Sequence, residues 1–283
     1  MSRLRAERIA GALGAELTGV DLGRDLSKGL LDDLAGELWK HQLLVLRGQS
    51  LTPAQHVSIG EHFGEVEEHT FFSNLGPGQE RVTVLDWDRP GDAAVAWHTD
   101  ETFLPRPPML NVLHAQTIPA WGGDTMFAST YVAYERLSPS LQRHLGELEA
   151  EHDLAMTLKL RVDFGMPFHA EWGRALEEGR RFVHPVVATH PETGRRAINV
   201  NPTYTSRIVG IPPAESRMLL DFLFVHTVGH HCVVRHRWKP GDVVIWDNRC
   251  TWHSAIGDTQ EKRVVHRVSV LGDREPELLP LGV

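Results

Sequence analysis

Cysteine is nearly missing from this chain, with only Cys232 and Cys250 in 283 residues. Two are too few for a disulfide framework and do not suggest a zinc cluster, which fits a reducing cytoplasm. No apolar stretch reaches the roughly 18 residues that a membrane span needs, and Met1-Ser2-Arg3-Leu4-Arg5-Ala6-Glu7-Arg8 leads into no apolar signal core. Blocks of like charge are missing too. The formal net charge is −8, from 29 basic against 37 acidic residues, with no basic stripe. Binding to nucleic acid or to an anionic membrane is therefore disfavoured, and a small molecule is the expected partner. Finally, there is no Ser/Gly-rich or Pro-rich linker and no solenoid repeat. A single domain over residues 1–283 is expected.

What the chain does have is a succession of short apolar runs. Leu30, Leu31, Leu34, Leu38 and Trp39 fall at helical spacing, and Leu43–Leu46 follows as a short strand. Thr52-Pro53, a capping residue with proline in the first turn, predicts a second helix running toward Phe63. Strand-like pieces recur at 82–85, 94–103, 110–116, 124–128, 182–189, 197–201, 232–235, 242–246 and 264–271, with helices expected at 139–148 and 212–226. Many short strands separated by turns predict a mainly β fold with flanking helices, an α+β chain built on a sandwich or barrel. Residues 153–180 carry no clean period and are expected to form a lid over the site.

Trp97-His98-Thr99-Asp100 is the first segment that suggests chemistry. On an extended strand His98 and Asp100 would project from one face, placing an imidazole and a carboxylate at a common point. With 17 histidines and 37 acidic residues, an H-x-D arises readily by chance, as an ordinary structural histidine near a surface aspartate. A distant third donor changes that reading. His253, in Cys250-Thr251-Trp252-His253-Ser254, follows the apolar run at 242–247. Two histidines and one carboxylate on one face of an octahedron leave positions open on non-haem Fe(II) for O₂ and a co-substrate.

Such an iron centre needs electrons, and a chelating 2-oxo acid is one source. Its far carboxylate would need a buried cation, best an arginine, whose fork matches a carboxylate and stays charged. Arg263 and Arg267 lie four apart on the strand expected after His253 and so share a face. Thr125, in Gly122-Gly123-Asp124-Thr125, offers a hydroxyl to the same group. Asp247 and Asn248 are expected to orient His253 through its second ring nitrogen.

Four ordered motifs, Trp97 to Phe103, Gly122 to Thr125, Trp246 to His253 and Arg263 to Arg267, resemble those of the taurine dioxygenase and phenoxyacetate dioxygenase family of Fe(II)/2-oxoglutarate-dependent dioxygenases. The likeness runs from Leu13 to Asp273. It implies a double-stranded β-helix, a cupin-like jelly roll, with iron held by His98, Asp100 and His253. It implies that Thr125 and Arg263 hold the distal carboxylate of 2-oxoglutarate, with Arg267 beside the metal meeting an acidic group of substrate or co-substrate. His69, Phe72 and Tyr204 match positions lining the substrate pocket. The implied reaction consumes O₂ and converts 2-oxoglutarate to succinate and CO₂ while a substrate C–H bond is hydroxylated. An intact Asp100 argues against halogenation, which needs that carboxylate replaced. Many relatives are dimers or tetramers, so the resemblance also implies a homo-oligomer.

Two departures bear on the substrate. An amide found four residues before the proximal histidine in taurine dioxygenase is replaced here by Ala94, and a pocket tyrosine by Phe72. A more apolar substrate that keeps an anionic group for Arg267 is expected, drawn from sulfonates, carboxylates or natural-product intermediates. The rival readings are a zinc hydrolase using the same three ligands, for which no H-E-x-x-H helix is present, and a non-catalytic cupin-like binding protein.

Overall fold

The computed structural model describes residues 4–68, 73–87, 96–157 and 176–279. The first long helix, α1 (Lys28–His41), buries Leu30, Leu31, Leu34 and Leu38 along one side, as their spacing predicts. It ends at Gln42, whose left-handed backbone (φ 66°) returns its N–H to Leu38 O. The chain passes directly into β3 (Leu43–Leu46), all four residues buried. The second helix, α2 (Pro53–Phe63), starts where expected. Thr52 accepts from Gln55 N–H while the Gln55 side chain reaches back to the Thr52 backbone, satisfying donors that a helix start leaves open.

The main sheet has seven strands. Its order is β1 (Arg5–Arg8), β2 (Ala15–Thr18), β3, β13 (Val243–Asp247), β5 (Leu110–Thr117), β15 (Arg263–Val270) and β4 (Thr83–Trp87). All pairings are antiparallel except β2 with β3. Residues alternate between its faces. Leu44, Leu46, Val112, Ile245, Val268 and Val270 join the leucines of α1 and Ile59 of α2 in one core. Leu43, Val45, Leu113, Val244, Trp246 and Val265 face the other way, against Phe127. Burial on both faces explains why β3 and β13 read as unbroken apolar runs rather than alternating ones.

Phe127 belongs to β6 (Thr125–Ser129), the middle of a three-stranded sheet with β12 (Val233–His236) and β14 (Thr251–Ala255). A third sheet pairs β11 (Thr205–Ile208), β7 (Glu149–Asp153) and β8 (Arg181–Pro185), and β9 (Val187–Thr189) pairs with β10 (Arg196–Ile198). Helices α3 (Thr130–Glu135), α4 (Pro139–Leu145) and α5 (Pro213–Thr227) supply Ala133, Tyr134, Leu145, Leu220 and Leu223 to a second core with Ala150, Val186, Val187, Ile198 and Ile208. The chain is mainly β with flanking helices.

Three expectations change. Residues 96–103 form no strand, only an isolated bridge between His98 and His253 followed by a turn, while 88–95 lie outside the described residues. Asn248 takes up the backbone N–H and C=O of Asp100, the groups that a neighbouring strand would otherwise pair. The run at 182–189 is two strands, because the chain changes partner at Val186, directly after Pro185, which has no N–H to continue a ladder. His253 follows the apolar run of β13 as expected, but as the central residue of a further strand, β14, not among those expected. Of the expected lid, residues 158–175 lie outside the described residues.

Candidate metal centre

His98 and β14 exchange both backbone hydrogen bonds, His98 N to His253 O at 3.0 Å and His253 N to His98 O at 2.8 Å. This pairing sets the two rings beside each other, their centroids 4.1 Å apart. His98 Nδ1 lies 2.8 Å from Ala96 O, and a carbonyl can only accept, so Nδ1 carries the proton and Nε2 presents its lone pair. That Nε2 lies 3.3 Å from Asp100 Oδ1, and His253 Nε2 lies 3.8 Å from the same oxygen. The three donor atoms lie within 4.8 Å of one another. Sequence spacing put His98 and Asp100 on one face through an extended strand. The structure brings them together through a turn, with Glu101 in the left-handed region at φ 50°.

Burial and the His98 ring beside it push the His253 imidazole down to about 3, so it is neutral at ordinary pH. Burial alone would raise the Asp100 carboxyl, but His253, His98 and Arg267 outweigh it and hold Asp100 well below the usual carboxylate range. Neutral imidazole with an ionised carboxylate is the protonation state that a divalent ion requires. The donor set fits a non-haem iron.

Farther along the inner face of the main sheet, Arg263 is 2% exposed on β15. Burial pulls its guanidinium down to about 9, against the partial support of Asp124. Its charged end lies 5.1 Å over the Trp238 ring. Trp238 Nε1 donates to Thr125 Oγ1 at 3.0 Å. With that lone pair used, the Thr125 hydroxyl keeps its own proton for an incoming oxygen. Gly123 makes the close approach possible: its φ is 65°, and a Cβ there would stand 3.3 Å from Arg263 Cδ. Arg267 is nearly buried on the same strand, with Nη1 3.9 Å from Asp100 Oδ2.

The remaining expected residues fare differently. Tyr204 packs with Phe103 and Leu154, its ring 5.2 Å from that of Phe103, three residues beyond Asp100. His69 and Phe72 lie outside the described residues. Asp247 and Asn248 do not orient His253. Asp247 Oδ1 accepts from Arg249 N and Nε, and its Oδ2 meets Arg249 Nη2 and His190 Nε2, the latter at 2.7 Å. His190, Asp247 and Cys250 also lie at metal-ligand distance. Both Asp247 oxygens are already committed, and burial pushes the Cys250 thiol far up, so this cluster is a buried brace. Asn248 holds Asp100 instead.

Several residues at the site gave no sequence signal: Asn111, Ser269, Trp238 and Glu67. Glu67 N donates to Ser269 O, and burial with the Glu101 carboxylate nearby raises the Glu67 carboxyl to about 8. Asn111 and Ser269 meet only because β5 and β15 pair, and Trp238 reaches Thr125 from 113 residues away.

A family model described as taurine catabolism dioxygenase TauD, TfdA family matches residues 5–269. The chain is 34% identical over 283 residues to an alpha-ketoglutarate-dependent sulfate ester dioxygenase of Pseudomonas putida, covering 97% of this chain and 90% of that one. It is 32% identical to pentalenolactone F synthase of Streptomyces arenae, over 94% of each chain. A crystal structure of a taurine dioxygenase from Burkholderia xenovorans is similar, with a TM-score of 0.81 and 32% identity over 95% of this chain and 90% of that one.

Proposed function

This chain belongs to the taurine catabolism dioxygenase TauD, TfdA family and is a 2-oxoglutarate-dependent non-haem iron dioxygenase, and we propose that His98, Asp100 and His253 hold its Fe(II). The convergence of two histidine Nε2 atoms on Asp100 Oδ1 carries this assignment. Iron with 2-oxoglutarate and O₂ supplies an oxidant able to attack a C–H bond, yielding succinate and CO₂ as co-products. The protein's part is to bind, orient and exclude water.

Arg263 and Thr125 hold the distal carboxylate of 2-oxoglutarate. What supports this is a deeply buried guanidinium over the Trp238 ring, with the Thr125 hydroxyl, turned into a donor by Trp238, on the same ring. Arg267, four residues along β15 and beside Asp100, meets an acidic group of the substrate or the 2-oxo acid end. Tyr204 with Phe103 forms an apolar wall, and His69 and Phe72 are assigned to substrate binding by their match to family positions. The substrate is a small organic anion, hydroxylated at a C–H bond above the metal. Similarity to relatives named for sulfate esters and for pentalenolactone F supports this class.

The seven-stranded and three-stranded sheets facing each other across Phe127 and Trp246 support a double-stranded β-helix of one domain. No helix among the described residues is long and apolar enough to cross a membrane. Cys232 and Cys250 are buried free thiols, the state a reducing cytoplasm maintains. Assembly as a dimer or tetramer rests on the family resemblance.

The test is anaerobic titration of metal-free protein with Fe(II) and then 2-oxoglutarate. A visible charge-transfer band of a chelated 2-oxo acid, absent in Asp100→Ala, is expected. Folded protein that gives no band, but hydrolyses an ester with Zn²⁺ and without O₂, would move the site to the hydrolase reading.

A further inference from the structure

Two asparagines account for every polar atom of Asp100 except one. Asn248 Oδ1 accepts from Asp100 N at 3.0 Å, and Asn248 Nδ2 donates to Asp100 O at 3.2 Å and to Pro108 O at 2.8 Å. The peptide frame of Asp100 is thereby held from both sides. Its carboxylate is held separately. Asn111 Nδ2 donates to Asp100 Oδ2 at 3.0 Å, and Ser269 Oγ donates to Asn111 Oδ1 at 2.7 Å.

The direction of this relay is fixed by chemistry. An ionised carboxylate only accepts, so the Asn111 amide must turn its NH₂ to Asp100, which leaves its carbonyl for the Ser269 hydroxyl. Asn111 and Ser269 are direct partners in the β5–β15 register, so the sheet itself sets their distance. Asn111 is fully buried and Ser269 nearly so. Arg267 Nη1 stands 3.9 Å from the same Oδ2, beyond hydrogen-bond range. Asn111 therefore supplies the directional bond, and Oδ1 alone is left facing the two imidazoles.

We propose that Asn111, oriented by Ser269, is a positioning residue that keeps Asp100 a one-oxygen ligand. The inference rests on reading His98, Asp100 and His253 as the metal ligands. Its consequence follows from counting positions on an octahedron. Three protein atoms leave three positions, two for a chelating 2-oxo acid and one more. A carboxylate that swings to bind through both oxygens removes one of them. Asn248 cannot prevent that swing, because it grips only the backbone of Asp100. Asn111 can, because it occupies the oxygen that would have to move.

The experiment loads metal-free full-length protein with Co(II), whose visible absorption weakens as its coordination number rises, and then titrates 2-oxoglutarate. Asn111→Leu keeps the side-chain volume and removes the bond. It is expected to bind Co(II), to show a weaker visible band, and to lose about ten-fold or more in 2-oxoglutarate affinity. Ser269→Ala, which frees the amide to rotate, should shift both readings the same way by less, and Ser269→Thr should restore them. A metal-loaded Asn111→Leu protein with the parent spectrum and parent 2-oxoglutarate affinity would overturn the proposal. If Asn111→Leu fails to fold, the Ser269 pair decides by the same readings, with Ser269→Ala equal to the parent counting against it. Failure of the unsubstituted protein to bind Co(II) would instead remove the ligand assignment itself.

Discussion

At the residue scale, the two arginines of β15 stand in different surroundings. Arg263 lies beside Thr125 and Trp238, away from the ligands, whereas Arg267 reaches toward Asp100 Oδ2. Removing Arg263 should therefore weaken co-substrate binding and leave the metal in place. A hydrogen bond between charged partners contributes about 1.5–3 kcal/mol, so Arg263→Ala should raise the 2-oxoglutarate KM on the order of ten- to a hundred-fold, with kcat little changed at saturation. An unchanged KM would remove Arg263 from that role. Thr125→Val should act in the same direction by less, since it deletes one neutral donor. His98→Ala, by contrast, should abolish Fe(II) binding, measured by equilibrium dialysis, because the two remaining donors no longer form a three-cornered face. Arg263 and Arg267 were legible because residues four apart on a strand share a face, whereas His98 and Asp100 were paired by that same rule although a turn brings them together. Asn111 and Ser269 were not legible, since an amide and a hydroxyl 158 residues apart become partners only once β5 and β15 have paired.

At the scale of elements, legibility followed how local the cause was. The start of α2 needed only Thr52, Pro53 and Gln55, all within one turn, and was read correctly. Thr52→Ala removes the cap and should cost about 1 kcal/mol, seen as a lower urea midpoint with unchanged m and unchanged metal affinity. A cost near zero would show that Gln55, which also reaches Gly23 O, carries that end of the helix unaided. The loop holding His98 and Asp100 was misread as a strand for the opposite reason. Its small and β-branched residues favour extension, but Asn248 competes for the Asp100 backbone and wins. The short strands β7 and β14 escaped notice because their composition, Glu-Ala-Glu-His-Asp and Thr-Trp-His-Ser-Ala, lacks an apolar run. Their partners β8 and β6 define them, not their own residues.

Over the whole molecule, the many histidines become a liability under acid. His56, on α2, is buried with Nε2 2.9 Å from Val112 O, and burial pulls it down to about 3. His152, on β7, is buried beside His184 and is likewise pulled down to about 3. In the unfolded chain each titrates near 6.5. Between these values the unfolded state binds more protons, so stability is complete above about pH 6.5 and falls as the pH drops toward 3. Each should cost about 2 kcal/mol on going from pH 7.5 to pH 5. One pins helix α2 to the main sheet and the other joins β7 to Thr102, so the loss should be global and cooperative. His56→Gln can still donate to Val112 O but cannot gain a charge in this range. Its urea midpoint should therefore fall less than the parent's between those two pH values, by about the contribution of one histidine. Equal falls in parent and variant would mean that His56 takes up its proton while folded, and that the acid sensitivity comes from other groups.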